Sequence, residues 1–441
     1  MSDASPASPL DDRAYRSDVY VLSAAVLLLM LVAAVDAFNF FDRPNGGLRY
    51  TILVIPFAAV VFIRARHPSL IVRRPSPPDL LLGMLFLFGF SGALIGVAIR
   101  GNLANSYPVF LPMTVGLLFL LAVDGPTEDE VGRLLDRLAN VGAVYVVMNF
   151  LVNTGLLPGL AHYLKYRNAS AAIVAMALTA ALVRRRWRRL AFLSFLFAVI
   201  FMTYPSATQV LMSIAVVLTL AVTTRRSGGL RTLILATVVA LFVVLALVNL
   251  NTGIRLTTSY FAGVSKSNSD TGRLDLWTAG VDEFLSSPWI GQAFTGESIA
   301  IRTRDQKALP FHNDFVLFLA QGGVVGFGLL LTWIGVTELT LLRRFRAFRD
   351  AGFTDAADLT RIILVTLNCF FVSMAFNPTL EGVTRTATLF GLYGIAVSLG
   401  TPDTMRAQSR AAYQPTVSAN PSGSETSGDQ PSDASRSHAT P

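Results

Sequence analysis

The 441-residue chain is 53% hydrophobic and only 15% charged, with a mean hydropathy of +0.54. A soluble domain carries about 25% charged residues, so a water-facing surface of ordinary area is excluded and the chain reads as a membrane protein. The lone cysteine, Cys369, excludes an internal disulfide, a thiolate metal cluster and a C-x-x-C redox motif. Four scattered histidines without an H-x-x-x-H pair offer no zinc site.

In chain order, apolar runs predict twelve spanning helices at 19–38, 50–63, 80–99, 107–123, 141–157, 169–183, 190–204, 206–223, 232–249, 313–336, 362–376 and 384–399. The pair around Pro205 can also be read as one broken hairpin. The expected fold is therefore all-α: a polytopic integral membrane bundle of about twelve helices. Residues 1–17 form a cytoplasmic tail, 18–400 the transmembrane domain, and 401–441 a disordered cytoplasmic tail in which 18 of 41 residues are Ser, Thr or Pro. Charged residues, not a small-residue cleavage site, follow the first span, so no cleavable signal peptide is expected.

The net charge of +8 means little until it is located. With the N-terminus inside, 24 of the 36 basic residues fall in cytoplasmic segments, among them Arg184–Arg186, Arg188 and Arg189. Only 12 fall outside, six of them in the long loop at 250–312. That asymmetry fixes the orientation and accounts for the charge without nucleic acid. The interiors of the spans hold neutral polar residues (Asn149, Asn153, Gln209, Gln321, Asn368), while Asp36 and Glu338 lie at span ends. Proton or ion coupling needs ionisable groups near the midplane, and primary transport needs a nucleotide-binding loop, so chemistry is expected at the outer surface.

Within the outside loop, Asp270 or Thr271 can cap a short helix. Leu274, Trp277, Val281, Phe284 and Leu285 then share one apolar face that lies flat on the bundle or the interface, and Pro288 and Gly291 end the helix. Arg273 sits in its first turn, as a surface or headgroup contact or as an anion ligand. His312 directly precedes the tenth span, whose N-terminus faces outward. Such an end attracts anions and disfavours imidazolium. His312 can therefore be an interfacial or capping residue, or a neutral general base. Gly322 and Gly326 allow a close helix contact in the same span.

The ordered set Arg273, Trp277, Pro288 to Gly291, His312-Asn313 and Gly323 to Gly326 resembles the O-antigen ligase and O-antigen polymerase family of bacterial membrane glycosyltransferases. The resemblance implies a multi-pass inner-membrane enzyme with its site on the extracytoplasmic side. Such enzymes move a glycan from undecaprenyl pyrophosphate to an acceptor sugar hydroxyl, without a metal or other cofactor. Partners would be the lipid-linked oligosaccharide, a glycan or glycolipid acceptor, membrane lipids and other glycan-assembly proteins.

Arg273 and His312 become the expected catalytic pair, with Arg167, Arg255, Trp277, Asn313 and Arg385 as substrate-binding residues and Asp275 or Glu381 as alternative bases. Many ligases open the eighth span with Ser-Arg; here the stretch reads Ser206-Ala207-Thr208-Gln209, so Arg167 is the expected substitute, or the chain is a polymerase. A non-enzymatic glycolipid flippase or permease is the alternative reading. It would need a polar or cationic path through the membrane.

Overall fold

Long apolar segments have one low-energy solution in lipid, the α-helix, because every backbone donor and acceptor must be satisfied within the segment. The computed structural model describes residues 76–100, 128–157, 171–203, 207–223, 267–294, 313–375 and 383–399, with four more positions between 402 and 406. All regular structure among the described residues is helical. The elements are α1 (Pro77–Arg100), α2 (Glu128–Asn153), α3 (Ala171–Val183), α4 (Trp187–Thr203), α5 (Ala207–Thr223), α6 (Ser267–Ser286), α7 (Asp314–Asp350), α8 (Thr354–Met374) and α9 (Val383–Ser398).

Eight of these coincide with predicted spans, and α6 is the predicted loop helix. Among the described residues, three helices are long and apolar enough to cross a membrane, at Pro77–Gly96, Asp314–Asp350 and Thr354–Met374. The runs at 19–38, 50–63, 107–123 and 232–249, and the tail beyond 406, lie outside the described residues.

Three helices overrun their apolar runs on polar sequence. α2 begins at Glu128 rather than 141, α7 continues to Asp350 rather than 336, and α8 begins at Thr354 rather than 362. Hydropathy sees only the apolar part, whereas strong helix formers such as Leu, Arg and Glu carry a helix on until a breaker stops it. The breaker after α7 is Gly352, at φ +85°, where Phe353 N–H closes the helix end on Phe348 O at 2.9 Å.

α8 is the central helix, packed by α2, α3, α5, α7 and α9. Trp333 of α7 is buried against Phe371, Phe390 and Tyr393 at ring distances of 5.8, 5.6 and 5.9 Å. Lipid is as apolar as leucine, so such packing and a few polar bonds hold the helices together rather than water exclusion. Two polar bonds from one amide join three helices: Asn368 Nδ2 (α8) donates to Thr219 Oγ1 (α5) at 3.0 Å and to Glu338 Oε2 (α7) at 3.3 Å. Glu338 therefore reaches an interior asparagine instead of standing apart at a span end.

Several arginines cap helix ends at one end of the bundle. Arg344 Nη1 donates to Ala396 O and Val397 O in the last turn of α9, at 3.2 and 2.6 Å. Arg361 Nη2 donates to Thr223 O at the end of α5, at 2.9 Å, and Arg184 pairs with Asp355 at 2.6 Å. A guanidinium at a helix C-terminus satisfies orphan carbonyls and meets the negative dipole end. Arg184 and Asp355 thus join two segments that the basic-residue count assigns to the same membrane side.

Candidate functional site

The opposite end of the bundle is organised by a break in α7. Gly323 has φ +58° and ψ −159° inside an otherwise helical run, a conformation essentially restricted to glycine. The break frees backbone groups on either side of it, and the turn after α6 takes them up. Val324 N donates to Pro288 O at 2.8 Å and Val325 N to Trp289 O at 3.1 Å, while Gln292 N and Phe294 N donate to Ala320 O and Gln321 O at 3.2 and 3.1 Å.

The fit needs glycine on both sides. A Cβ on Gly323 would meet Trp289 C and O at 2.5 Å, and one on Gly291 (φ +55°) would collide with Ala320 O. A Cβ on Gly92 of α1 would overlap Ala293 O. Ala293 and Phe294 themselves have positive φ, 50° and 57°; each costs on the order of 1 kcal/mol or more. Burial of the Phe294 ring opposes that cost. It sits edge-on to Phe318 at 5.2 Å and to Phe88 at 6.0 Å, over Gly322, whose hypothetical Cβ would lie 3.1 Å from the ring. The Gly322–Gly326 pair therefore makes room for Phe294 and Phe88 rather than for another helix backbone.

The turn anchors α6 beside the start of α7. Leu276 is buried with Leu317 and Ala320, and Trp277 and Val316 pack against them. Further along, Glu283 is 1% exposed and accepts from Gln321 Nε2 at 2.9 Å. The two helices thus run side by side in the same direction. Two expectations for α6 need correction. It starts at Ser267, ahead of the expected Asp270 or Thr271 cap. Its buried face is Leu276, Gly280 and Glu283, whereas Val281 and Leu285 are 41% and 65% exposed. A kinked partner helix offers polar groups, so α6 turns Glu283 inward and leaves part of its apolar stripe outward.

Of the expected site residues, Arg273 lies in α6 one turn before Trp277, which packs on the first turns of α7. Asn313 is the N-cap of α7: its Oδ1 accepts from Phe315 N at 3.0 Å and Val316 N at 3.2 Å. The buried Asp314 follows it. Two of the amide protons that the sequence offers to an anion at this helix end are therefore taken by Asn313, and a carboxylate stands beside them. Arginines are the better fit for a phosphate there. Arg385 lies in the first turn of α9. His312, Arg167, Arg255 and Glu381 lie outside the described residues, and Asp275 is in α6.

Sequence reasoning missed Glu283. Its only signal is a charged residue at the spacing of Leu276 and Gly280, which reads as solvent-facing until its partner is known.

An all-helical membrane protein with a loop helix pinned into a broken span is the class that these features define. A family model described as O-antigen ligase matches residues 191–331, about a third of the chain. Over these residues the chain is similar to the O-antigen ligase family, which the Arg273 to Gly326 pattern also resembles. The matched stretch runs from α4 into α7 and contains Arg255, Arg273, Trp277, Glu283, His312 and Asn313; Arg167 and Arg385 lie outside it. No curated protein sequence matches the chain.

Proposed function

We propose that the protein is a metal-independent glycosyltransferase that moves or polymerises an undecaprenyl-pyrophosphate-linked oligosaccharide onto an acceptor sugar hydroxyl at the outer face of the inner membrane. The observation that carries this reading is the packing of α6 along the first turns of α7 within the matched domain. It packs Leu276, three residues after Arg273, against Leu317, four residues after Asn313. This packing supports a site shared by two sequence-distant parts of the motif.

In this scheme His312 removes the acceptor hydroxyl proton. The oxygen attacks the anomeric carbon, the bond from that carbon to the pyrophosphate oxygen breaks, and lipid pyrophosphate leaves with the electron pair. Arg273 neutralises the leaving anion, because a planar guanidinium meets two phosphate oxygens at once. Arg167, Arg255 and Arg385 are further candidates for the donor's charges, and Trp277 for stacking against sugar. Asn313 contributes by fixing the start of α7, and with it the backbone that follows His312.

The test is glycan transfer by membranes carrying Arg273→Lys or Arg273→Ala at matched expression. Both should fail, because an ammonium lacks the fork. Full activity of Arg273→Lys would reduce the role of Arg273 to charge alone.

A further inference from the structure

We infer that the Pro288–Phe294 turn is a re-entrant membrane segment, with Trp289 and Ile290 in contact with the hydrocarbon of the outer leaflet. The turn belongs by sequence to the outside loop, yet its hydrogen bonds end on the interior of a spanning helix. Its partners Ala320 to Val325 begin six residues inside α7 and extend to eleven. At 1.5 Å per residue, Gly323 is about 14 Å along the helix from Asp314. The contact with α1 gives the same depth independently. Gly92, covered by Ala293, lies within the apolar stretch Pro77–Gly96 and eight residues before Arg100, roughly 12 Å along that helix. With a hydrocarbon core about 30 Å thick, both estimates put the turn well below the interface.

Non-helical backbone survives at that depth only where protein satisfies it, and here it does. Besides the four bonds to α7, Gly291 N donates to Ser287 O at 2.9 Å and Ala293 N to Ile290 O at 2.9 Å. The side chains divide to match. Phe294 and Glu283 point into the protein, whereas Trp289 is 73% exposed, Leu285 65%, Ile290 49% and Val324 48%. An outward cluster of large apolar groups at the depth of a spanning helix has lipid as its natural occupant.

The consequence for the loop is a fixed height. With its C-terminal end sunk in the bilayer, α6 rises along α7, and Arg273, 15 residues before Pro288, emerges near the headgroups. That height is set whatever reaction the site performs.

The experiment is nitroxide accessibility on the full-length protein in liposomes. Single cysteines at Trp289→Cys and Ile290→Cys would be introduced in a Cys369→Ala background, since the native cysteine is buried. Leu94→Cys on the exposed face of α1 serves as the lipid reference and Asp350→Cys as the aqueous one. Labels at 289 and 290 should collide with oxygen and be shielded from a water-soluble nickel chelate, as at Leu94→Cys. Nickel access at the level of Asp350→Cys would overturn the inference and leave the turn at the surface. Shielding from both reagents would overturn it too, since another part of the protein would then cover the patch. Neither outcome depends on transferase activity.

Discussion

Replacing Gly323 with alanine should undock the Pro288–Phe294 turn from α7. Two costs add. The φ and ψ of Gly323 are essentially closed to alanine, on the order of 1–3 kcal/mol. A Cβ would also meet backbone atoms of Trp289 at 2.5 Å and Gly291 N at 2.6 Å, and neither neighbour is a side chain that can swing aside. Relief requires moving the turn, which sacrifices four inter-segment hydrogen bonds at about 0.5–1.5 kcal/mol each, or about 2–6 kcal/mol in all. Gly328 lies five residues on in the same helix with nothing within 4 Å of a hypothetical Cβ. Gly328→Ala should therefore be neutral or stabilising by up to about 1 kcal/mol. The assay is thermal unfolding in detergent paired with glycan transfer. Gly323→Ala should lose both thermal stability and activity, while Gly328→Ala keeps both. Native behaviour of Gly323→Ala would refute the docking of the loop on a glycine break.

His312→Ala should lower transfer by about 10²–10⁴-fold with donor binding little changed. Native activity should fall as pH drops and imidazole protonates, a limb that the variant lacks; a full-activity variant with the native profile would move the base to Asp275 or Glu381. Glu283→Ala strips Gln321 of a buried acceptor and should cost about 1–3 kcal/mol in a denaturant or thermal titration, whereas Glu283→Gln should cost less. Cysteines at Ser265 and Ser427 should be labelled from the outside and the cytoplasmic side respectively by an impermeant thiol reagent, and the reverse pattern would invert the topology.

The sequence was informative where one physical rule acted alone. Apolar length located α1, α3, α4, α5 and α9 to within three residues, because lipid leaves the backbone no alternative to a helix. It failed where polar sequence continued a helix past the membrane, as in Thr337–Asp350 of α7. The motif picked out Pro288 to Gly291 and Gly323 to Gly326 separately, yet it could not show that they are two halves of one joint. That relation is made of backbone bonds, and glycine spacing alone does not reveal which carbonyl meets which amide. The buried Glu283 and the outward Val281 and Leu285 were illegible for a related reason: which face of α6 is buried depends on the break in α7.

The central claim is that this protein performs glycosyl transfer itself. It is tested most directly by purifying it, reconstituting it with a lipid-linked oligosaccharide donor and a glycan acceptor in metal-chelating buffer, and measuring lengthened or acceptor-linked glycan together with released lipid pyrophosphate. The account predicts stoichiometric appearance of both products with the native protein and neither with Arg273→Ala or His312→Ala. Movement of intact donor across the bilayer with no glycosidic product, unaffected by those two substitutions, would contradict it and assign the protein to glycolipid transport.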